Sequence, residues 1–204
     1  MLYAITDSIL LPGEKLFSGV ESTLKAGCRW VQYRDKSQDE QKRLFESTCL
    51  LEICNAHSAS LIINDDVILA KKISAHGVHL GQGDGDVREA RKLLGSNTII
   101  GVTCHNSLEL AEKAVADGAS YIAFGRFFSS NTKPDARAAD LNLLQQARKQ
   151  FPSITIVAIG GITPENAKSV LTAGADTLAV CHALFASDEI RRKAELFLNL
   201  DLQQ

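Results

Sequence analysis

No apolar run in this chain approaches the roughly 18 residues a membrane-spanning helix needs. The Met1 end has no basic stretch leading into an apolar one, because Asp7 and Glu14 interrupt it. Neither a membrane span nor a secretory leader is therefore expected. Excess positive charge is missing as well. With 22 Lys and Arg against 24 Asp and Glu, the net charge is −2. Nothing draws the molecule as a whole to nucleic acid or to an acidic membrane, so an anion site must be a local cluster. The five cysteines are odd in number and lack C-x-x-C spacing, which reads as reduced thiols in the cytosol. Cys28, Cys49 and Cys54 fall among helical apolar positions and read as packing residues. The five histidines show no zinc-site spacing.

What is present is an alternation that repeats along the whole chain. Short apolar runs at Leu2–Thr6, Trp30–Tyr33, Leu61–Ile63, Gly77–Leu80, Thr98–Val102, Tyr121–Gly125, Ile154–Ile159 and Thr177–Val180 read as strands. Between and after them come helical patterns: 13–26, 38–57, 67–74, 86–94, 107–116, 140–149, one beginning at Pro164, and 188–198. The strands are continuous rather than alternating, as expected when both faces of a parallel sheet are covered. Eight units in 204 residues leave little chain for linkers or a second domain. The expectation is one α/β domain over 1–204, a (β/α)8 TIM-type barrel. An open doubly wound sheet would produce the same alternation. The strand ends favour the barrel: Thr6-Asp7, Arg34-Asp35-Lys36, Asn64-Asp65, Gly81–Asp84, Thr103, Gly125-Arg126 and Gly160-Gly161 are polar or glycine-rich. A closed barrel brings all of them to one face, where catalytic loops sit.

Three groups at those ends carry chemistry. Gln32, Arg34 and Lys36 share one side of a strand. Arg34 can grip two phosphate oxygens at once and Lys36 adds a mobile charge. The competing reading is a surface ion-pair segment with Asp35. Asp65 and Asp84 end neighbouring strands, and two such carboxylates suit Mg²⁺, which takes few protein oxygens. For Asp66 a helix N-cap is the competing role, and for Asp84 it is turn chemistry. Gly160-Gly161 would let a phosphate approach the backbone, whereas Gly174 reads as an ordinary turn glycine. His57 and His76 read as surface or packing residues, and His79 as a satisfied core histidine. Cys104 beside His105 is not read as a nucleophile–base pair, since adjacent residues on a strand point apart.

Seven segments in order, YAITD, VQYRDK, IINDD, HGVHLGQGD, GVTCH, AFGRFFSSNTKP and AIGGITPENA, resemble the thiamine-phosphate synthase family and span nearly the whole chain. The resemblance implies a TIM-type barrel and a transferase of thiamine biosynthesis. Its reaction joins 4-amino-2-methyl-5-(diphosphooxymethyl)pyrimidine to 4-methyl-5-(2-phosphoethyl)thiazole, or its carboxylate form, releasing pyrophosphate. The implied route is dissociative and Mg²⁺-assisted. Pyrophosphate departs to leave a pyrimidine carbocation, which the thiazole nitrogen captures. By resemblance, Arg34, Lys36 and Lys133 are catalytic cations, and Mg²⁺ is held by Asp65 and Asp84. The pyrimidine diphosphate meets Gln32, Tyr33, Arg34, Asp35, Lys36, Asn64, Thr103 and Lys133. The thiazole phosphate meets Ser130, Asn131, Thr132, Gly161, Cys181 and His182.

Three positions depart from the family pattern. Thr103 replaces a usual serine and Ser130 a usual threonine, both keeping the hydroxyl. Cys181-His182 replaces a small apolar residue followed by a small polar one. Arg126 ranks below Lys133 as a phosphate cation, because the family often has proline at that position. Two alternatives stand beside the synthase: a thiazole tautomerase-like isomerase, and a non-catalytic thiazole-phosphate-binding regulatory relative. Neither needs Gln32, Arg34, Lys36, Asp65 and Asp84 together. The expected partners are the two small-molecule substrates, without nucleic acid or membrane, in a cytoplasmic protein compatible with a homodimer.

Overall fold

The computed structural model describes residues 1–129 and 139–200. Its strands are β1 (Leu2–Ile5), β2 (Trp30–Tyr33), β3 (Ser60–Asn64), β4 (Gly77–Leu80), β5 (Ile99–His105), β6 (Tyr121–Gly125), β7 (Thr155–Ile159) and β8 (Thr177–Val180). They close into a barrel in chain order. Every neighbouring pair is parallel, and β8 returns to β1 with Tyr3 opposite Ala179. The closed barrel decides against the open sheet, and it has no free edge to protect.

The helices α1 (Glu14–Lys25), α2 (Glu40–Ala56), α3 (Val67–Ile73), α4 (Val87–Leu94), α5 (Leu108–Ala116), α6 (Leu141–Gln150), α7 (Pro164–Thr172) and α9 (Ile190–Leu198) follow the strands. A single turn, α8 (His182–Phe185), precedes α9 and was not foreseen, being too short to show a period. Side-chain caps start several of these helices. Asp39, Asp66, Asp86, Ser107 and Asp140 each accept a first-turn amide hydrogen, satisfying donors that a helix start otherwise leaves unpaired. The reading of Asp66 as an N-cap is thereby met: its Oδ1 accepts from Leu69 N at 2.8 Å.

Two apolar clusters explain the continuous strand runs. Tyr3, Ile5, Ile62, Tyr121, Ala123, Val157 and Ala179 fill the barrel interior. The alternate residues, such as Leu2, Ala4, Val31, Leu61, Ile63 and Val78, pack outward against the helices. The end of the barrel opposite the polar strand ends is pinned by two arginines. Arg91 donates to the carbonyls of Gly95, Ser96, Thr98 and Gly118. Arg148 likewise serves Phe151, Pro152, Ile154 and Gly174, and pairs with Asp176.

Two sequence expectations need correction. Cys28 is buried but lies in the loop before β2, where its thiol donates to Leu2 O and Trp30 O; Cys54 is on α2 and buried as expected. β5 runs three residues beyond Val102, with a register shift between Thr103 and His105. That bulge keeps pairing going through polar residues which read as the end of the strand.

Candidate active site

The C-terminal strand ends meet on one face. On β2, Thr6 ties the segment down on both sides of Tyr33: its N–H donates to Gln32 O and its Oγ1 accepts from Arg34 N, each at 2.9 Å. The Arg34 guanidinium lies 3.8 Å from Asp7 Oδ2, and Asp7 is itself fixed by accepting from Ile9 N and Leu10 N. Asp7 was not singled out in the sequence, where it read as one more polar residue after a strand.

Strand alternation sends Tyr33 and Asp35 the other way. Tyr33 Oη donates to Glu46 Oε2 on α2 at 2.7 Å. Asp35 accepts from Lys42 Nζ at 2.5 Å and from Ser37 N at 2.6 Å. Burial pushes the Asp35 carboxyl up, but the hydrogen bonds from Lys42 and Ser37 outweigh it and hold the carboxyl below its usual range. Burial and Glu46 together raise the Tyr33 phenol. The side chains of these two residues are therefore turned from the mouth and committed to α2, which corrects their expected place beside a ligand. Asp35 does form an ion pair, with Lys42, whose side chain is 38% exposed, and Lys36 pairs with Asp65 while 60% exposed, so this segment is ion-paired, though not among its own residues.

Asp65 follows β3, and Asp84 follows β4 at the end of the Gly81–Asp84 turn. The Asp65 and Asp84 carboxyls lie close enough for each to shift the other's proton affinity, and Lys36 Nζ forms an ion pair with Asp65 Oδ2. Burial pushes both carboxyls up. For Asp65 the Lys36 ammonium and the Asp84 carboxyl outweigh burial and bring it below the carboxylate range. Asp84, with the Asp65 charge beside it, is held above that range. Asp65 adopts φ 64, a left-handed conformation that costs a non-glycine residue about 1–2 kcal/mol. Asp84 also closes its own turn, accepting from Gly81 N at 2.9 Å. A Cβ at Gly81 would stand 2.5 Å from that carboxylate, so the turn reading of Asp84 is met. Asn64 ends β3 opposite His79.

Under the mouth runs a feature the sequence did not announce. Gln32 Nε2 donates to Tyr3 Oη at 2.6 Å; Tyr3 Oη and Tyr121 Oη are 2.9 Å apart; His79 Nδ1 lies 2.8 Å from Tyr121 Oη and its Nε2 2.8 Å from Thr103 Oγ1. The reading of His79 as a satisfied core residue is met. Burial raises both phenols, so they stay protonated at ordinary pH. Tyr3 and Tyr121 were missed because each opens an apolar run. The available signal was two tyrosines at inward positions of strands, where a phenol needs a buried partner.

On the far side, Cys104 is buried with its thiol pushed up to about 12 by desolvation, while His105 is exposed at φ 50. The two point apart. Gly160 and Gly161 take φ 104 and 65. A Cβ on Gly160 would sit 2.2 Å from Arg126 Cβ, and one on Gly161 2.2 Å from Ser129 O. Both glycines are thus required by the loop after β6, which packs directly on them. Gly174 has φ 122 just past α7, an ordinary helix stop. Cys181 precedes α8, and burial, then Asp7, push its thiol up to about 12. His182 is exposed at the start of that turn. His57 lies 3.9 Å from Glu21 on the outer helices, and His76 Nδ1 accepts from Leu61 N. Ser130, Asn131, Thr132 and Lys133 lie outside the described residues.

Known proteins resemble this chain along nearly its whole length. The family whose model matches is described as thiamine monophosphate synthase, over residues 2–184. A thiamine-phosphate synthase of Saccharophagus degradans is 54% identical over 200 residues, covering 98% of this chain and 92% of that protein. The solved thiamine phosphate pyrophosphorylase of Pyrococcus furiosus superposes with a TM-score of 0.87 at 31% identity, covering 97% of this chain and 93% of that one. The (S)-3-O-geranylgeranylglyceryl phosphate synthase of Thermoplasma acidophilum superposes at 0.73 with 14% identity, covering 97% and 91%, a likeness of fold alone.

Proposed function

The chain belongs to the thiamine-phosphate synthase family, and from that premise we propose that Arg34, Lys36, Asp65 and Asp84 form the diphosphate end of its site. It is a transferase that makes thiamine phosphate. The observation that carries the site reading is the cluster of Lys36, Asp65 and Asp84, with Arg34 two residues before Lys36 on the same strand end. An isomerase or a regulator handling the thiazole phosphate alone has no use for it.

The residues fit a divalent cation. The two carboxyls past neighbouring strands interact, with burial and the Asp65 charge holding Asp84 up, and a divalent cation held by both would relieve that repulsion. Mg²⁺ would take these two carboxyls and fill its remaining positions with substrate oxygens and water. When bound, the ion neutralises charge on the diphosphate and on the departing pyrophosphate.

The C–O bond between the pyrimidine methylene and the diphosphate breaks, and its electron pair leaves with pyrophosphate. The thiazole nitrogen then gives its lone pair to the resulting carbocation, closing the C–N bond. No proton moves and no nucleophilic side chain is needed, so stabilising the leaving group is the principal task. Arg34 presents a planar donor fork held by Thr6 and Asp7. Lys36, held against Asp65 in the ligand-free chain, is within reach to exchange that carboxylate for a phosphate. Gln32, Asn64 and Thr103 line the pyrimidine side. Lys133 completes the cations, and Ser130, Asn131 and Thr132, with Gly161 and the amides of Cys181-His182, receive the thiazole phosphate; for these the family resemblance is the support. The Tyr33 and Asp35 side chains act by bracing this segment from α2.

The test is turnover of both substrates with and without Mg²⁺. Thiamine phosphate and pyrophosphate should appear in equal amounts, and chelation should abolish both. Folded protein that gives no pyrophosphate above the blank would sink the reading, and full activity in excess chelator would sink the metal assignment.

A further inference from the structure

The chain Gln32–Tyr3–Tyr121–His79–Thr103 uses five side chains from five strands. Its ends are the residues placed on the pyrimidine side above. Its three middle members have no role there. A phenol has one hydrogen to donate, and so has a neutral imidazole; if neither buried phenol hydrogen is left unbonded, the order of donors is a single choice made for the whole chain.

In one sense, Gln32 donates to Tyr3, Tyr3 to Tyr121, Tyr121 to His79 Nδ1, and His79 Nε2–H to Thr103 Oγ1. Thr103 then has its own hydroxyl hydrogen left for a ligand, and Gln32 keeps its carbonyl oxygen. In the opposite sense Gln32 turns its carbonyl to Tyr3, and Thr103 commits its hydrogen to His79. The mouth would then offer an amide NH₂ from Gln32 and only a lone pair from Thr103. A diphosphate carries acceptors alone, so it is repelled by a bare hydroxyl lone pair, while an aminopyrimidine brings N–H donors that need an acceptor.

We propose that the chain runs in the first sense, and that Tyr3, Tyr121 and His79 are positioning residues which hold Thr103 as a donor and Gln32 as an acceptor toward the pyrimidine diphosphate. The inference rests on the placement of Gln32 and Thr103 against that substrate. Gly101 belongs to the same device. A Cβ there would stand 1.9 Å from Tyr121 Cζ, so the glycine is the space in which the central phenol sits.

Two measurements test it. The first is ¹⁵N NMR of histidine-labelled wild-type protein, with His79 assigned by comparison with His79→Gln. The proposal requires hydrogen on Nε2 and a bare Nδ1 at neutral pH; hydrogen on Nδ1, alone or with Nε2, overturns it. The second is steady-state kinetics of Tyr121→Phe, which removes the relay hydroxyl and keeps the ring. Losing an oriented donor to a charged group lowers kcat/KM for the pyrimidine diphosphate about ten- to a hundredfold, with the KM for thiazole phosphate unchanged. No loss, or an equal rise in both KM values, overturns the proposal. Should Tyr121→Phe fail to fold, the wild-type tautomer still decides, and Tyr3→Phe repeats the kinetic test from the Gln32 end. A wild-type protein that makes no thiamine phosphate would instead overturn the reaction assignment while leaving the tautomer readable.

Discussion

Gly101→Ala offers a demanding test of the packed interior. The added Cβ would lie 1.9 Å from Tyr121 Cζ and 2.3 Å from its Oη. Tyr121 is fully buried, with Tyr3 edge-on at 5.9 Å between ring centroids and His79 stacked at 5.5 Å, so the ring has nowhere to retreat. Overpacking a tight core costs about 1–3 kcal/mol. Displacing the phenol also breaks its bonds to Tyr3 and His79, and leaving a buried polar group unpaired adds about 1–3 kcal/mol. The total is about 2–6 kcal/mol. A chain of this size loses about 2–4 °C of Tm per kcal/mol, so the midpoint should fall by roughly 4–24 °C by calorimetry or circular dichroism. The double variant Gly101→Ala/Tyr121→Leu removes the ring that the methyl meets. It should therefore be clearly less destabilised than the sum of its single variants. A single variant within about 2 °C of wild type, or strict additivity of the pair, would refute the argument that this glycine exists to admit the ring.

Other outcomes follow from the same geometry. Arg34→Ala and Asp84→Ala should each cut kcat at least about a hundredfold while the melting curve stays cooperative; wild-type turnover in either removes that residue from the site. Lys42→Ala should cost about 1–3 kcal/mol at neutral pH in urea titrations, by stranding the buried Asp35 carboxylate. Because the folded Asp35 pKa is depressed, the stability it contributes is present above the unfolded value of about 4 and lost as pH falls through the folded one. The gap between Lys42→Ala and wild type should thus shrink below about pH 4; a gap that is constant with pH counts against the pairing. His182 is exposed at the start of its turn, so His182→Ser should leave the thiazole-phosphate KM within about twofold, and a larger change would show that the ring faces the ligand.

Legibility in the chain followed the range of the interactions. The barrel was readable because the units repeat local signals: a continuous apolar strand, a polar or glycine end, and a helix, several of them side-chain capped. Eight repeats of a local pattern leave few closed architectures. The N-cap at Asp66, the packing role of His76 and the satisfied state of His79 were readable for the same reason, since each rests on nearby residue types. Turned positions were less so. Tyr33 and Asp35 lie beside Gln32 and Arg34 in sequence, but strand alternation sends them to Glu46 and Lys42, and a motif string does not say which of its letters face inward.

By itself the sequence determined the eight strands in order with a helix after each, the polar strand ends, and the resemblance to a family the chain belongs to. The tertiary structure alone decided which side chains meet. It brought the Asp65 and Asp84 carboxyls close enough to shift one another's proton affinity, a relation across two strands that spacing cannot measure. It also threaded Gln32, Tyr3, Tyr121, His79 and Thr103 into one chain. The physical reason is closure. Only when β8 pairs back to β1 do inward residues from distant strands share one dry interior, where a buried polar group must find a partner.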